Sequence, residues 1–329
     1  MSALPQPESP LSEAVSRTAF AAILDGACAA DDVKSFLVSL AKRGETATEI
    51  AAAVFEMRSR MISVEAPENA IDVCGTGGDG SHSLNISTAT ALVVAACDIP
   101  MAKHGNRAAS SKSGAADTLE ALGLDLAKAA TNGEENLREI GIAFFFAPNH
   151  HPALGPLAPI RKEIGQRTIF NLLGPLCNPA RVKRQLIGVA SPDLVETYAE
   201  AALQLGYEKA MIVSGEEGLD ELSISGPSRI AMIGDGAVAM SRITPEDVGL
   251  SRHAAEAIKG GDAEYNAAAL RALLLGEKSA YRDAVLLNSA AALMVAGEVD
   301  SWEAGVEEAA EALDKGLANA LLNCWIANQ

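Results

Sequence analysis

From residue 12 onward, apolar positions recur at helical spacing. Ser12 to Leu24 reads as a first helix and Asp31 to Arg43 as a second. The second carries Val33, Phe36, Leu37 and Leu40 at i, i+3, i+4 and i+7, with Gly44 as its stop. Thr46 and Glu49 have the spacing of a capping box, and the stripe Ile50, Val54, Met57 and Met61 predicts a third helix behind it. Three prolines in the first ten residues predict a loose arm ahead of these helices.

The period changes after Pro67. Short apolar runs at Ile71 to Cys74, Ile99 to Ala102, Ile142 to Ala147, Leu186 to Ala190 and Ala210 to Val213 alternate with helical stretches, the first from Ser87 to Cys97. Such alternation predicts a mainly parallel sheet covered by helices. Asp262 to Gln329 reads mostly as alanine-rich helix. The expected fold is therefore α/β: a small all-helical domain over residues 1–66 and a larger α/β domain with a mainly parallel central sheet over 67–329.

Composition narrows the function. Among 329 residues, 49% are hydrophobic, enough for a sizeable core. Lys plus Arg is 26 against 43 for Asp plus Glu, a net charge of −17, which makes general binding to nucleic acid or anionic membrane a poor fit. The best apolar run, Ala89 to Ala102, is broken by Asp98 and Pro100, so no membrane span is expected. The opening residues, with Glu8 and Glu13, lack a signal pattern. Five scattered cysteines without a C-x-x-C pair fit a reducing, cytoplasmic setting rather than a disulfide framework or zinc site.

An anion bound by so acidic a chain needs a local seat, and two loops offer one. Gly75 to Gly80 formally matches G-x-G-x-x-G, but polar Ser81 to Asn85 separates it from the next helix and Asp79 sits inside it, which disfavours a dinucleotide. A strand, exposed backbone N–H groups and a helix start near Asn85 remain, which can seat an anion without net positive charge. The alternative for a glycine loop alone is a tight turn needing positive φ. Lys103 to Lys112 then gathers three cations and two serines behind a strand, where charge-assisted bonds to a multi-oxygen anion can form. Asp220 and Glu221, led by Gly218, can share a hard cation beside phosphate. His150 and His151 invite a metal reading, but without a spaced third ligand a structural loop is preferred. Arg161 can meet a carboxylate on a small ligand or stand as an ordinary surface cation.

Together these residues resemble the anthranilate phosphoribosyltransferases. The resemblance is carried by Asp72 to Asp79, Asn85 to Thr88, Lys103 to Arg107, Ser113 to Gly123, Phe146 to Pro148, His151 to Ala153, Arg167 to Pro175, Asn178 to Ala180 and Gly218 to Glu221, collinear from about residue 20. Pyrimidine nucleoside phosphorylases share the glycine loop and a Lys-His-x-Asn-Arg motif, but Gly105 and the Asn-Leu-Leu-Gly-Pro block ending at Pro175 favour the transferase.

The resemblance implies a homodimer whose helical domain takes in a returning segment near 167–180 and meets the α/β domain at a hinge. It implies a Mg²⁺-dependent pentosyltransferase that moves the phosphoribosyl group of phosphoribosyl pyrophosphate to the amine of anthranilate, in tryptophan biosynthesis. Gly75, Gly78, Asp79, Ser83, Asn85, Ile86, Ser87, Thr88, Lys103, His104, Gly105, Asn106, Arg107, Ala108, Ala109, Ser110, Ser111 and Ala115 would surround phosphoribosyl pyrophosphate. Gly75, Asn106 and Arg161 would meet anthranilate, with Pro148 and His151 lining its path. Ser87, Asp220 and Glu221 would hold Mg²⁺. No general base is implied. Two departures stand out: Ala115 where the family often has serine, and Leu154-Gly155 where it often has Met-Lys.

Overall fold

The structure, a computed structural model, describes residues 3–108 and 112–328. Three helices open the chain: α1 (Glu13–Leu24), α2 (Ala30–Arg43) and α3 (Ala47–Arg58). The Thr46–Glu49 capping box forms, with the Thr46 side chain accepting from Glu49 N–H and Glu49 accepting from Thr46 N–H. Buried Glu49 also takes Leu11 N–H (2.9 Å) and Arg43, so one carboxylate ties α2, α3 and the entry to α1 together. Met61 lies beyond α3 instead of extending its stripe. The expected loose arm is partly packed: Pro7 is buried and Leu4 lies against the helical core.

A seven-stranded sheet follows: β1 (Ile71–Gly75), β2 (Met101–Gly105), β3 (Ile142–Phe146), β4 (Arg184–Gly188), β5 (Lys209–Gly215), β6 (Ser228–Gly234) and β7 (Ala237–Ile243). Its order is β3-β2-β1-β4-β5-β6-β7, parallel from β3 to β5. The last two strands are an antiparallel hairpin the hydrophobic pattern did not reveal. After β1 the chain first turns toward β2 and later to β4, so the crevice beyond the strand ends lies at the switch between β1 and β4, where α/β sheets bind ligands. Helix α4 (Ile86–Ala95) follows β1, and residues 263–327 supply four more helices on the same core.

Two large apolar clusters flank the sheet, with a smaller third at Ala102, Ala143 and Phe145 of β2 and β3. One joins α4 and the C-terminal helices; the other joins α1–α3, residues 169–177 and the opposite sheet face through Ile187, Val189 and Ile212. The returning segment thus packs under the N-terminal helices. Among the described residues no helix is long and apolar enough to cross a membrane.

One joint in the sheet is opened. β1 pairs with β2 only at Ile71 and Met101, whereas β1–β4 and β2–β3 each run five pairs. Side chains fill the gap. Buried Asn178 donates through Nδ2 to Ala102 O and Asp72 Oδ2, both 2.8 Å. His104 N–H donates to Asp72 Oδ1 (3.1 Å), and Lys103 Nζ to Val73 O (2.8 Å). Gln185 Nε2 completes the set with bonds to Asp72 Oδ2 and Pro175 O, both 2.9 Å. This polar insert explains why β2 begins two residues later than the apolar run suggests and ends in Lys103, His104 and Gly105.

Candidate active site

The strand ends open into a cleft of about 1130 Å³. One wall comes from residues 75–87, 103–108, 113–115 and Asp220–Glu221, the other from Leu154, Ala158, Arg161, Arg167 and residues 170–175. Gly75 and Gly188 are there for closeness. A Cβ on Gly75 would lie 2.2 Å from Asp220 Oδ2, and one on Gly188 1.6 Å from Asp220 O. Gly77 N–H donates to Asp220 Oδ2 (2.7 Å), and Ser87 N–H at the start of α4 donates to Glu221 Oε1 (3.1 Å). The turn after β5 is thereby clamped to the glycine loop and α4.

These carboxyls resist ionisation. Burial, then Asp79, raises the Asp220 pKa to about 7; burial, then Asp220, pushes Glu221 well above the usual range. Asp79 accepts from Ser81 N–H through Oδ1 (3.2 Å), while its buried Oδ2 has no hydrogen-bond partner among the described residues. Crowded, under-satisfied oxygen donors of this kind suit a hard divalent cation. Among the described residues no three His, Cys, Asp or Glu side chains form a ready metal cage, so most ligands would have to be phosphate and water, as Mg²⁺ prefers.

Several expected ligand groups are engaged elsewhere. The Arg107 guanidinium pairs with Asp117 (2.8 Å) and Glu120 (2.5 Å) and lies over Phe146. The Lys103 ammonium donates to Val73 O, although the residue still lines the cleft. The Ile86 side chain is in the core and its N–H is spent on Leu84 O, so only main chain reaches the cleft. Thr88 is buried one residue further and does not line the cleft; Pro148 is exposed and does not line it either. Ala109, Ser110 and Ser111 lie outside the described residues. Gly78, Ser83, Gly105, Asn106, Ala108 and Ala115 do line it, as do Asn85 and Ser87.

At the far end, His104 and His151 meet edge to face, Nε2 to Nε2 at 3.3 Å. His104 Nδ1 lies 3.2 Å from Gly174 O, an acceptor, so Nδ1 carries the proton and Nε2 receives the one from His151. Burial, more than their mutual repulsion, lowers His104 to about 3; burial lowers His151 to about 4. Both rings are neutral at pH 7. Arg161, half-buried on the helix Ala158–Ile164, has no hydrogen bond or ion pair among the described residues, and burial lowers its pKa. It is a partly desolvated cation facing open space.

The pattern of loops and cations did not single out Arg167, Phe170 or Leu172 to Gly174 as lining residues. Their only sequence signal was the block ending at Pro175, which marks the returning segment without showing which atoms face a ligand.

Comparison with known proteins places the chain in a family. Residues 67–319 match the family described as "Glycosyl transferase family, a/b domain", and residues 7–61 its helical bundle domain. The anthranilate phosphoribosyltransferase of Novosphingobium aromaticivorans is 62% identical, covering 99% of both chains; that of Sphingopyxis alaskensis is 59% identical, covering 98% of this chain and 97% of that one. The crystal structure of the enzyme from Thermus thermophilus superposes with a TM-score of 0.92 at 42% identity, covering 97% of this chain and 96% of that one. The Saccharomyces cerevisiae enzyme, solved with phosphoribosyl pyrophosphate and Mg, gives 0.87 at 29%, covering 96% and 93%. The clamped glycine loop, the carboxylate pair and the two-domain match lead to one statement: the chain belongs to the glycosyl transferase family, among its anthranilate phosphoribosyltransferases.

Proposed function

We propose that this cleft seats phosphoribosyl pyrophosphate on the wall of residues 75–87 and 103–108, and anthranilate against Arg161 and Asn106. The reaction is transfer of the 5-phosphoribosyl group to the anthranilate amine, releasing pyrophosphate. The carrying observation is that one cleft is lined by a glycine loop with two crowded carboxyls and by a half-buried arginine that has no hydrogen bond or ion pair among the described residues.

Each wall meets one demand of the chemistry. The bond from ribose C1 to pyrophosphate breaks with oxocarbenium character. Loop N–H groups, preorganised by the clamp on Asp220, receive charge on the departing oxygens. Asp220, Glu221 and the Ser87 hydroxyl would hold Mg²⁺, which when bound supplies a hard positive centre for the diphosphate. Arg161 fixes the carboxylate end of anthranilate and so places the amine near C1. An aryl amine is neutral at pH 7 and needs no strong base before attack. His104 Nε2 is already occupied by His151, so it is not given that role.

Residues 1–66, with the returning segment near 167–180, would close on residues 67–329 about a hinge and exclude water that competes for C1. A cytoplasmic homodimer is the form we assign. Its support is apolar exposure on the N-terminal helices, where Val15 is 42% and Phe55 47% exposed. The direct test is anthranilate fluorescence, which should fall when phosphoribosyl pyrophosphate and Mg²⁺ are added together. Constant fluorescence, with phosphate-dependent cleavage of thymidine instead, would replace this reading with a nucleoside phosphorylase.

A further inference from the structure

The exit of the glycine loop is tied to a distant part of the chain. Leu84 N–H donates to Ile258 O (2.8 Å) and Gly260 N–H to His82 O (2.7 Å), with Ser83 bridged to Lys259. Gly260 leaves no room for a side chain: a Cβ would stand 2.7 Å from Ser83 O and 2.9 Å from Asn266 Oδ1. Asn266 itself is buried. Gly261 N–H donates to Asn266 Oδ1 (2.8 Å), and a main-chain N–H can only donate, so this bond fixes which end of the amide is oxygen. Asn266 Nδ2 therefore faces Asn85 and donates to its Oδ1 (2.9 Å). The Thr118 hydroxyl donates to the same oxygen (2.6 Å).

Both lone pairs of Asn85 Oδ1 are then used. Asn85 Nδ2 has one N–H directed at Ser113 O, at 3.4 Å, and a second to offer. The polarity is relayed from one main-chain donor, Gly261, through two amides. At Asn85 a ligand meets a donor and not an acceptor. The distinction matters because the same wall holds Asp79, Asp220 and Glu221, and a further exposed carbonyl would repel a diphosphate.

We propose that Asn266 is a positioning residue for phosphoribosyl pyrophosphate: by engaging the amide oxygen of Asn85 it keeps an N–H available to that substrate. This rests on the reading that Asn85 contacts phosphoribosyl pyrophosphate. Asn266→Asp keeps the shape and still accepts from Gly261, but offers no hydrogen to Asn85. The Asn85 amide then turns over to donate to the introduced carboxylate and leaves its oxygen for the ligand.

Steady-state kinetics with Mg²⁺ test this. Asn266→Asp should raise KM for phosphoribosyl pyrophosphate tenfold or more, with kcat and the anthranilate KM within threefold of the parent. Asn266→Ala, which adds no charge and releases the amide to either orientation, should raise that KM about threefold, and it carries the test if the aspartate variant fails to fold by circular dichroism. In an Asn85→Ala background, Asn266→Asp should have no further effect on that KM. An unchanged KM in both Asn266 variants, or the same rise with Asn85 absent, overturns the proposal while leaving the Asn85 contact standing. If Asn85→Ala alone leaves KM for phosphoribosyl pyrophosphate at the parent value, the underlying reading fails and the proposal falls with it.

Discussion

Arg161 shows what burial adds to a residue's identity. In the sequence it is one of 26 cations. In the fold it is half-buried, lines the same cleft as the carboxylate pair and has no hydrogen bond or ion pair among the described residues, whereas Arg107 has spent its charge on Asp117 and Glu120. Arg161→Ala should therefore raise the anthranilate KM at least tenfold, the loss of one desolvated charged bond, and change KM for phosphoribosyl pyrophosphate by less than threefold. Equal effects on both substrates would contradict its role. Residue types and loop positions made Gly75, Asp79, Asp220, Glu221 and Arg161 legible as candidates. The occupation of Arg107, Lys103 and Asn85 by neighbours was not, because those partners are set by tertiary packing.

Among the elements, α2, with a clean 3.6 period and a glycine stop, is readable almost to the residue, and the cap fixes the start of α3, whose end at Arg58 falls short of the expected Met61. The β6–β7 hairpin was missed because β7 is exposed along most of its length and gives no apolar alternation. A signal was present: Asp235-Gly236 joins the two strands with φ of 50° and 74°, the positive pair a two-residue hairpin turn requires. The shift of β2 has the opposite cause. Its last residues are polar yet buried, and their needs are met by Val73 O, Asp72 and Gly174 O. Asn178 stands at the centre of that arrangement. Asn178→Ala strips donors from Asp72 Oδ2 and Ala102 O, and should cost about 2–3 kcal/mol in urea unfolding. A loss below about 0.5 kcal/mol would show that water satisfies those oxygens instead.

The whole molecule carries its imidazole pair as a sensor of acid. An unfolded histidine takes its proton near pH 6.5, but folded His151 waits until about 4 and His104 until about 3. The unfolded chain thus binds more protons between those values. Stability from the neutral pair is complete above pH 6.5 and drains as pH falls toward 4. Asp220, raised to about 7, acts in the reverse sense, so a comparison with a variant separates the two. Between pH 6.5 and 5 the parent should lose about 1–2 kcal/mol more than His151→Gln, read from urea midpoints at each pH. Parallel losses in the two proteins would mean that His151 is protonated in the folded state.

In an ordinary parallel sheet the amide hydrogen of His104 would be locked by a neighbouring strand. Here it is locked by the carboxylate of Asp72, which Gln185 holds from β4 and Asn178 from the segment beneath the N-terminal helices. That single proton is a built-in gauge of how tightly the two parts of the chain are docked. Its deuterium uptake would follow departures of residues 174–178 from the strand edge, and not the unravelling of the sheet itself.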